Sequence, residues 1–203
     1  MIEGPEVEAH RHRTGHGFAD LILAVTAVLL SCVSVYIAVQ HGRTMERLVA
    51  ANSWPNLSIG SSNLDEAGHR DITLDVQNTG VGPARIDSVE LFYKGKPMPS
   101  AAALIAECCN AKKINFTSSR LRGEVLPARE IIHPVQVTPD MMGEDVWKAL
   151  ERERAHVVVR ICYCSVFDEC FVRDTKSRRP VPVRECTPSQ AIEFAADPTE
   201  PTD

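Results

Sequence analysis

Three cysteines fall within nine positions of the stretch ICYCSVFDECF, residues 161–171: Cys162, Cys164 and Cys170. Sulfur at this density serves metal ligation, thiol exchange or covalent cross-linking. Spacing discriminates among these uses. Structural zinc sites are built from C-x(2–4)-C knuckles, whereas the chain offers only C-x-C, C-x5-C and the adjacent Cys108 and Cys109. A soft ion such as Cu(I) would suit such thiolates better than zinc. A thioredoxin-like site needs C-x-x-C in a βαβ setting, and neither is present. The run reads instead as strand, turn and strand. Cys162 and Cys164 then share one strand face, about 6.5–7 Å apart. A loop over residues 165–169 would set Cys164 opposite Cys170, within disulfide reach. Cys162 is left to pair elsewhere, with Cys186, Cys108 or Cys109 as candidates. Six cysteines allow fifteen connectivities, and sequence alone does not choose among them.

Other chemistry is sparse. His69, His133 and His156 stand apart from one another, outside any H-E-x-x-H pattern. There is no G-x-S-x-G elbow, P-loop or dinucleotide fingerprint; Gly80 and Gly82 are spaced G-x-G, but proline and a strand follow them. Asp168 and Glu169 are neighbouring carboxylates at a turn, where solvation is their ordinary role. The expectation is a protein without catalysis, cofactor or metal, and nothing identifies a small-molecule substrate. A formal net charge of -5 over 203 residues disfavours nucleic acid as a partner. The basic run Arg173, Lys176, Arg178, Arg179 and Arg184 reads as a solvated tail, with contact to anionic lipid or a partner as the sharper alternative.

The elements that must position the cysteines begin with a membrane anchor. Residues 18–39, FADLILAVTAVLLSCVSVYIAV, carry no Asp, Glu, Lys or Arg after Asp20, and as a helix they would span about 30 Å, the thickness of a bilayer core. A buried core helix would carry a polar stripe; here only Thr26, Ser31 and Ser34 are polar. A cleaved signal peptide would be shorter in its apolar region and end at a small-x-small site. Leu29-Leu30-Ser31-Cys32 resembles a bacterial lipobox, but the chain stays apolar beyond Cys32. Arg11 and Arg13 before the helix balance Arg43 and Arg47 after it, so the positive-inside rule returns a tie. Six of the seven cysteines follow the helix. Disulfides persist in oxidising compartments, which places the C-terminal part outside the cytoplasm. Ala24, Ala27, Ser31, Ser34 and Ala38 fall at alternating spacings of three and four on one helix face, a seam through which membrane helices approach closely. The partners expected are therefore the lipid bilayer and another membrane protein or a second copy of the chain.

Beyond the anchor, residues 40–53 read as a helical stalk that Trp54-Pro55 ends, because a residue before proline is pushed out of the helical region. Within residues 54–174, DITLDVQN places Ile72, Leu74 and Val76 on one face, ARIDSVELFY carries a looser pattern with Ile86, Val89 and Leu91, and AHVVVRICYCSVF is the most strongly β-branched run in the chain, all of which favour strands. Two helices interrupt them, over 100–109 and 140–154, with Asp140 as the N-cap of the second. The expected fold class is mainly β, an immunoglobulin-like antiparallel sandwich with two short helices, preceded by one transmembrane helix. Residues 1–17 and 175–203 read as tails, the second rich in proline and charge and disordered beyond Cys186.

The series of apolar helix, Gln/Arg stalk, WPNL, NTGVGPARI, LRGEVLPARE and ICYCSVFDECF resembles uncharacterised bacterial inner-membrane proteins with an immunoglobulin-like periplasmic domain. The resemblance spans residues 18–173. It implies a fold and a location, the inner membrane with the C-terminal domain in the periplasm, and carries no active site. The function expected is that of a single-pass, membrane-anchored binding module, an accessory or sensor subunit of an envelope complex. The competing expectation is a thiol-based metal or redox module using Cys162, Cys164 and Cys170.

Overall fold

The computed structural model describes residues 17–111 and 115–187. These divide between Leu48 and Val49 into two compact units. The first unit is helical. Helix α1, Gly17–Asn52, runs unbroken through both the apolar segment and the stalk. It is long and apolar enough to cross a membrane, and none of its residues is buried. Its serine hydroxyls are satisfied within the helix: Ser31 Oγ donates to the Ala27 carbonyl and Ser34 Oγ to the Leu30 carbonyl, each at 2.8 Å. Back-bonding of this kind removes the donors that hydrocarbon would leave unpaired. Ala24, Ala27, Ser31, Ser34 and Ala38 all lie on α1.

The second unit contains two antiparallel sheets around one core. The first sheet has the order β1-β2-β7-β5, from β1 (Leu57–Leu64), β2 (Arg70–Asn78), β7 (Ile131–Val137) and β5 (Thr117–Ser118). The second runs β10-β9-β8-β3-β4, from β10 (Val181–Val183), β9 (Cys170–Asp174), β8 (Val157–Cys164), β3 (Ala84–Tyr93) and β4 (Lys96–Met98), with β6 (Val125–Leu126) paired to β3. Alternation drives both sheets. Ile72 and Val76 of β2, Ile86 of β3 and Ile161 and Tyr163 of β8 turn into one apolar cluster. Tyr163 is fully buried, and its hydroxyl accepts a hydrogen bond from the Leu57 N–H at 3.4 Å, joining the sheets.

NTGVGP has a structural cause. Asn78 is fully buried, and its side chain makes four hydrogen bonds. Oδ1 accepts from the Asn56 and Gly80 N–H groups, while Nδ2 donates to the Gly82 and Leu126 carbonyls at 2.8 and 3.0 Å. A Cβ at Gly80 would collide with the backbone of residues 54–56, and one at Gly82 with the backbone of Ser53. Both positions thus require the absence of a side chain rather than an unusual φ.

Helix α2 (Ala101–Cys109) opens on Ser100, whose Oγ accepts from the Ala103 N–H. The second helical segment differs from expectation. Asp140 is not an N-cap: it sits inside a short helix α3 (Pro139–Met142) started by proline, with Thr138 at the N-cap position but its side chain making no capping hydrogen bond. Gly143, at φ 88°, separates α3 from α4 (Glu144–Glu153). Proline at the first helical position explains the earlier start, since its missing N–H would be unpaired there anyway. Trp147 of α4 is buried and donates Nε1–H to the Val137 carbonyl at 3.1 Å. Strand β10 lies in the segment whose proline and charge read as a tail. The remainder of that tail, 188–203, and residues 1–16 lie outside the described residues.

Candidate functional site

The cysteine-rich hairpin is formed by β8 and β9. Ile161 and Tyr163 face the core, so alternation turns Cys162 and Cys164 to the other face of the sheet. The register sets Cys164 opposite Cys170 and Cys162 opposite Val172. Cys164 and Cys170 are disulfide-bonded across the strands, with Cα atoms 4.0 Å apart. Strand β10 then pairs with β9, placing Val183 beside Cys170. The chain returns from there so that Cys186 bonds Cys162, Cα to Cα 5.6 Å. All three strand cysteines are buried although they lie off the core.

The two disulfides are close neighbours: Cys164 Sγ and Cys186 Sγ are 3.7 Å apart. Asp87 was not singled out in the sequence. It joins the group from β3, its Oδ2 3.2 Å from Cys164 Sγ. Ligand atoms of Asp87, Cys164, Cys170 and Cys186 lie within 4.8 Å of one another. The signal for Asp87 was its alternation with Arg85 on the outward face of β3, readable only once β3 is known to pair with β8. Arg85 Nε donates to Asp87 Oδ1 at 3.0 Å and Nη1 to Asp168 Oδ1 at 2.9 Å, clasping the hairpin tip; both carboxylates hold the guanidinium pKa above its ordinary value. Asp168, read as a solvated turn residue, sits at φ 58° in this ion pair.

Chemically the cluster is better suited to cross-linking than to exchange. Reactive cysteines are activated by nearby cations or helix N-termini. Here the nearest charged group to Cys164 is a carboxylate, which opposes the negative charge of an attacking thiolate. Cys108 and Cys109 are bonded to each other at the C-terminal end of α2, Cα to Cα 3.8 Å, before Asn110 at φ 51°. They do not pair with the hairpin. Cys32 on α1 is a free thiol.

The histidines are brought to carboxylates rather than to nucleophiles. His69 Nδ1 lies 2.9 Å from Asp65, His133 Nδ1 2.8 Å from Asp75 and His156 Nδ1 3.3 Å from Glu153. Thr73 Oγ1 donates to the same Asp75, as part of a polar ladder on the outer face of the first sheet. From the basic run, Arg173, Arg178 and Arg179 line a cleft of about 500 Å³ with Trp54 and Asn56. Arg173 Nε is buried there without a hydrogen-bond partner among the described residues.

Compared with family models, curated proteins and solved structures, the chain matches none.

Proposed function

We propose that this protein is a single-pass membrane-anchored binding module whose folded domain lies outside the cytoplasm, an accessory or sensor subunit of a bacterial envelope complex. The observation that carries this reading is the distribution of sulfur. All six cysteines of the domain are paired with one another, while Cys32 on the apolar helix is free. Disulfides on this scale belong to oxidising compartments such as the periplasm.

The strand order supports an immunoglobulin-like classification of the domain. Taking β1, β2, β3, β5, β7, β8 and β9 as strands A to G, one sheet reads A-B-E-D and the other G-F-C, extended by β4. The domain departs from antibody domains in having no disulfide between its sheets, since Cys162 and Cys164 of strand F bond outward to Cys186 and Cys170. Sandwiches of this kind present loops and faces for binding, and the cleft holding Arg173, Arg178 and Arg179 offers cations with no carboxylate partner among the described residues for that purpose. The Ala24 to Ala38 seam of α1 would meet a second membrane helix, in another protein or another copy.

A thiol census of the full-length protein in intact membranes, alkylated before and after reduction and read by mass spectrometry, tests the placement. Three linked pairs with Cys32 alone alkylated at the outset support it; six free thiols overturn it. Purification in mild detergent as a monomer with no associated protein would contradict the subunit role.

The second reading is a soft-metal site, and the observation favouring it is the convergence of Asp87 with Cys164, Cys170 and Cys186. In reduced form those thiolates would suit Cu(I). Stoichiometric copper in the reduced protein, lost on Cys164→Ser, would favour it over cross-linking.

A further inference from the structure

The core is interrupted by a cavity. A cavity of about 330 Å³ lies between the sheets, walled by Ile59, Leu74 and Val135 on one side and Leu91, Val157 and Val159 on the other. Native interiors contain few voids larger than a water molecule. This one is about twice the volume of an engineered apolar cavity that takes up benzene, and falls within the range of ligand pockets. Burial along the strands carries the same message. Leu74 and Val135, paired across β2 and β7, occupy inward positions, yet each is only half-buried, whereas Val76 on one side of the pair and Ile72 and Val137 on the other are buried. Apolar side chains therefore face an accessible interior space rather than one another.

Two cations stand at the cavity: Arg154, after α4, and Lys176, after β9. Arg154 Nη1 donates to the carbonyl and hydroxyl of Ser61 at 3.1 and 3.3 Å, which anchors the guanidinium and, among the described residues, leaves its other N–H groups available. Lys176 Nζ has no carboxylate partner among the described residues, and the neighbouring Asp174 carboxylate is engaged by the backbone N–H groups of Lys176 and Ser177. No carboxylate among the described residues lines the cavity. An aliphatic interior with cationic groups beside it recognises a flexible apolar chain ending in an anionic head.

We propose that the cavity binds the alkyl chain of a medium-length fatty acid, with its carboxylate held by Lys176 and Arg154. The chain would replace water against Leu74 and Val135, and the head would keep its charge at the rim. The site goes beyond the binding-module reading, because it stands on this cavity independently of where the domain is anchored.

The test uses the full-length protein in phosphatidylcholine vesicles with a decanoate analogue bearing a photoactivatable diazirine on its chain, followed by peptide mapping. The expected result is labelling of peptides from β1, β2, β7 or β8, competed by unlabelled decanoate. Labelling should fall about tenfold on Leu74→Trp or on the milder Val135→Phe, either of which fills the cavity. It should fall several-fold on Lys176→Glu, or when the analogue's carboxylate is replaced by an alcohol. Labelling confined to α1 would show membrane partition only and overturn the proposal. So would equal labelling of wild type and a folded Val135→Phe variant, or indifference to the head group.

Discussion

Two regions of one core meet different demands. Near Asn78 and Tyr163 the sheets are close-packed, joined by the Tyr163–Leu57 hydrogen bond and the Asn78 network, and backed by two disulfides on the outer face of β8. Near Leu74 and Val135 the two sheets border a cavity of about 330 Å³, with Trp147 of α4 buried beside Val137. The contrast teaches that stability and accessibility have been separated along the strands. Polar satisfaction and covalent links hold one region, which lets the other leave apolar surface uncovered.

The largest test of that contrast is Asn78→Ala against Leu74→Ala. The first strands two N–H groups and two carbonyls in the packed region and should lower unfolding free energy by roughly 3–5 kcal/mol. The second removes atoms already bordering a void, and should cost about 1 kcal/mol, below the usual range for a buried leucine. Urea unfolding measures both, and equal losses would abolish the distinction.

Next in size are the disulfides. Cys162–Cys186 spans 24 residues and Cys164–Cys170 spans 6. Loop-closure entropy gives about 3.5 kcal/mol for removing the first as a double alanine variant and about 2.4 kcal/mol for the second. A larger loss from the shorter loop would mean that the hairpin link does more than restrict the unfolded chain.

Adding atoms inverts the comparison. Val76→Ile overfills the packed region and should cost about 1–3 kcal/mol, while Val135→Ile should be neutral or slightly stabilising because its methyl enters free space. Thermal unfolding of the two variants reads the difference in sign.

The smallest effect is electrostatic. Glu144, in the first turn of α4, is held down to about 2 by the Arg70 guanidinium and then the Lys148 ammonium. Its folded pKa lies below its unfolded one, so its contribution is present above about 4.5 and disappears as pH falls toward 2. All three groups are exposed, and screening keeps the effect modest. Arg70→Met should flatten this acid limb of the stability profile. Tyr163 acts oppositely: burial raises its pKa, so its contribution is present below the ordinary tyrosine value and is lost as pH rises through the raised one. An absorbance titration should find Tyr163 ionising above the usual range, and Tyr163→Phe should remove that late step.

Mainly antiparallel sheets behind a long apolar helix were legible because alternation and the uncharged run at 21–42 are local signals. So was the facing of Cys164 and Cys170, which follows from a period of two and a five-residue loop. Cys186 was not assignable, because its approach depends on β10, three residues containing a proline, paired only along an edge. The Cys108–Cys109 link depends on the backbone at the end of α2, which adjacency alone does not reveal. Asp87 needed the β3–β8 register. The cavity was invisible in principle: Leu74 and Val76 contribute identical inward beats to the pattern, and nothing in the beat says how far away the opposite sheet lies.

Asn78, Gly80 and Gly82 set a limit on how this chain can drift over evolutionary time. Aliphatic positions around the cavity can exchange leucine, isoleucine and valine almost freely. Asn78 cannot change without orphaning backbone groups, and neither glycine can gain a carbon without striking the segment 53–56. Descendants that have lost all overall similarity should therefore still carry N-x-G-x-G at the end of their second strand, with a cavity of altered dimensions a few residues upstream.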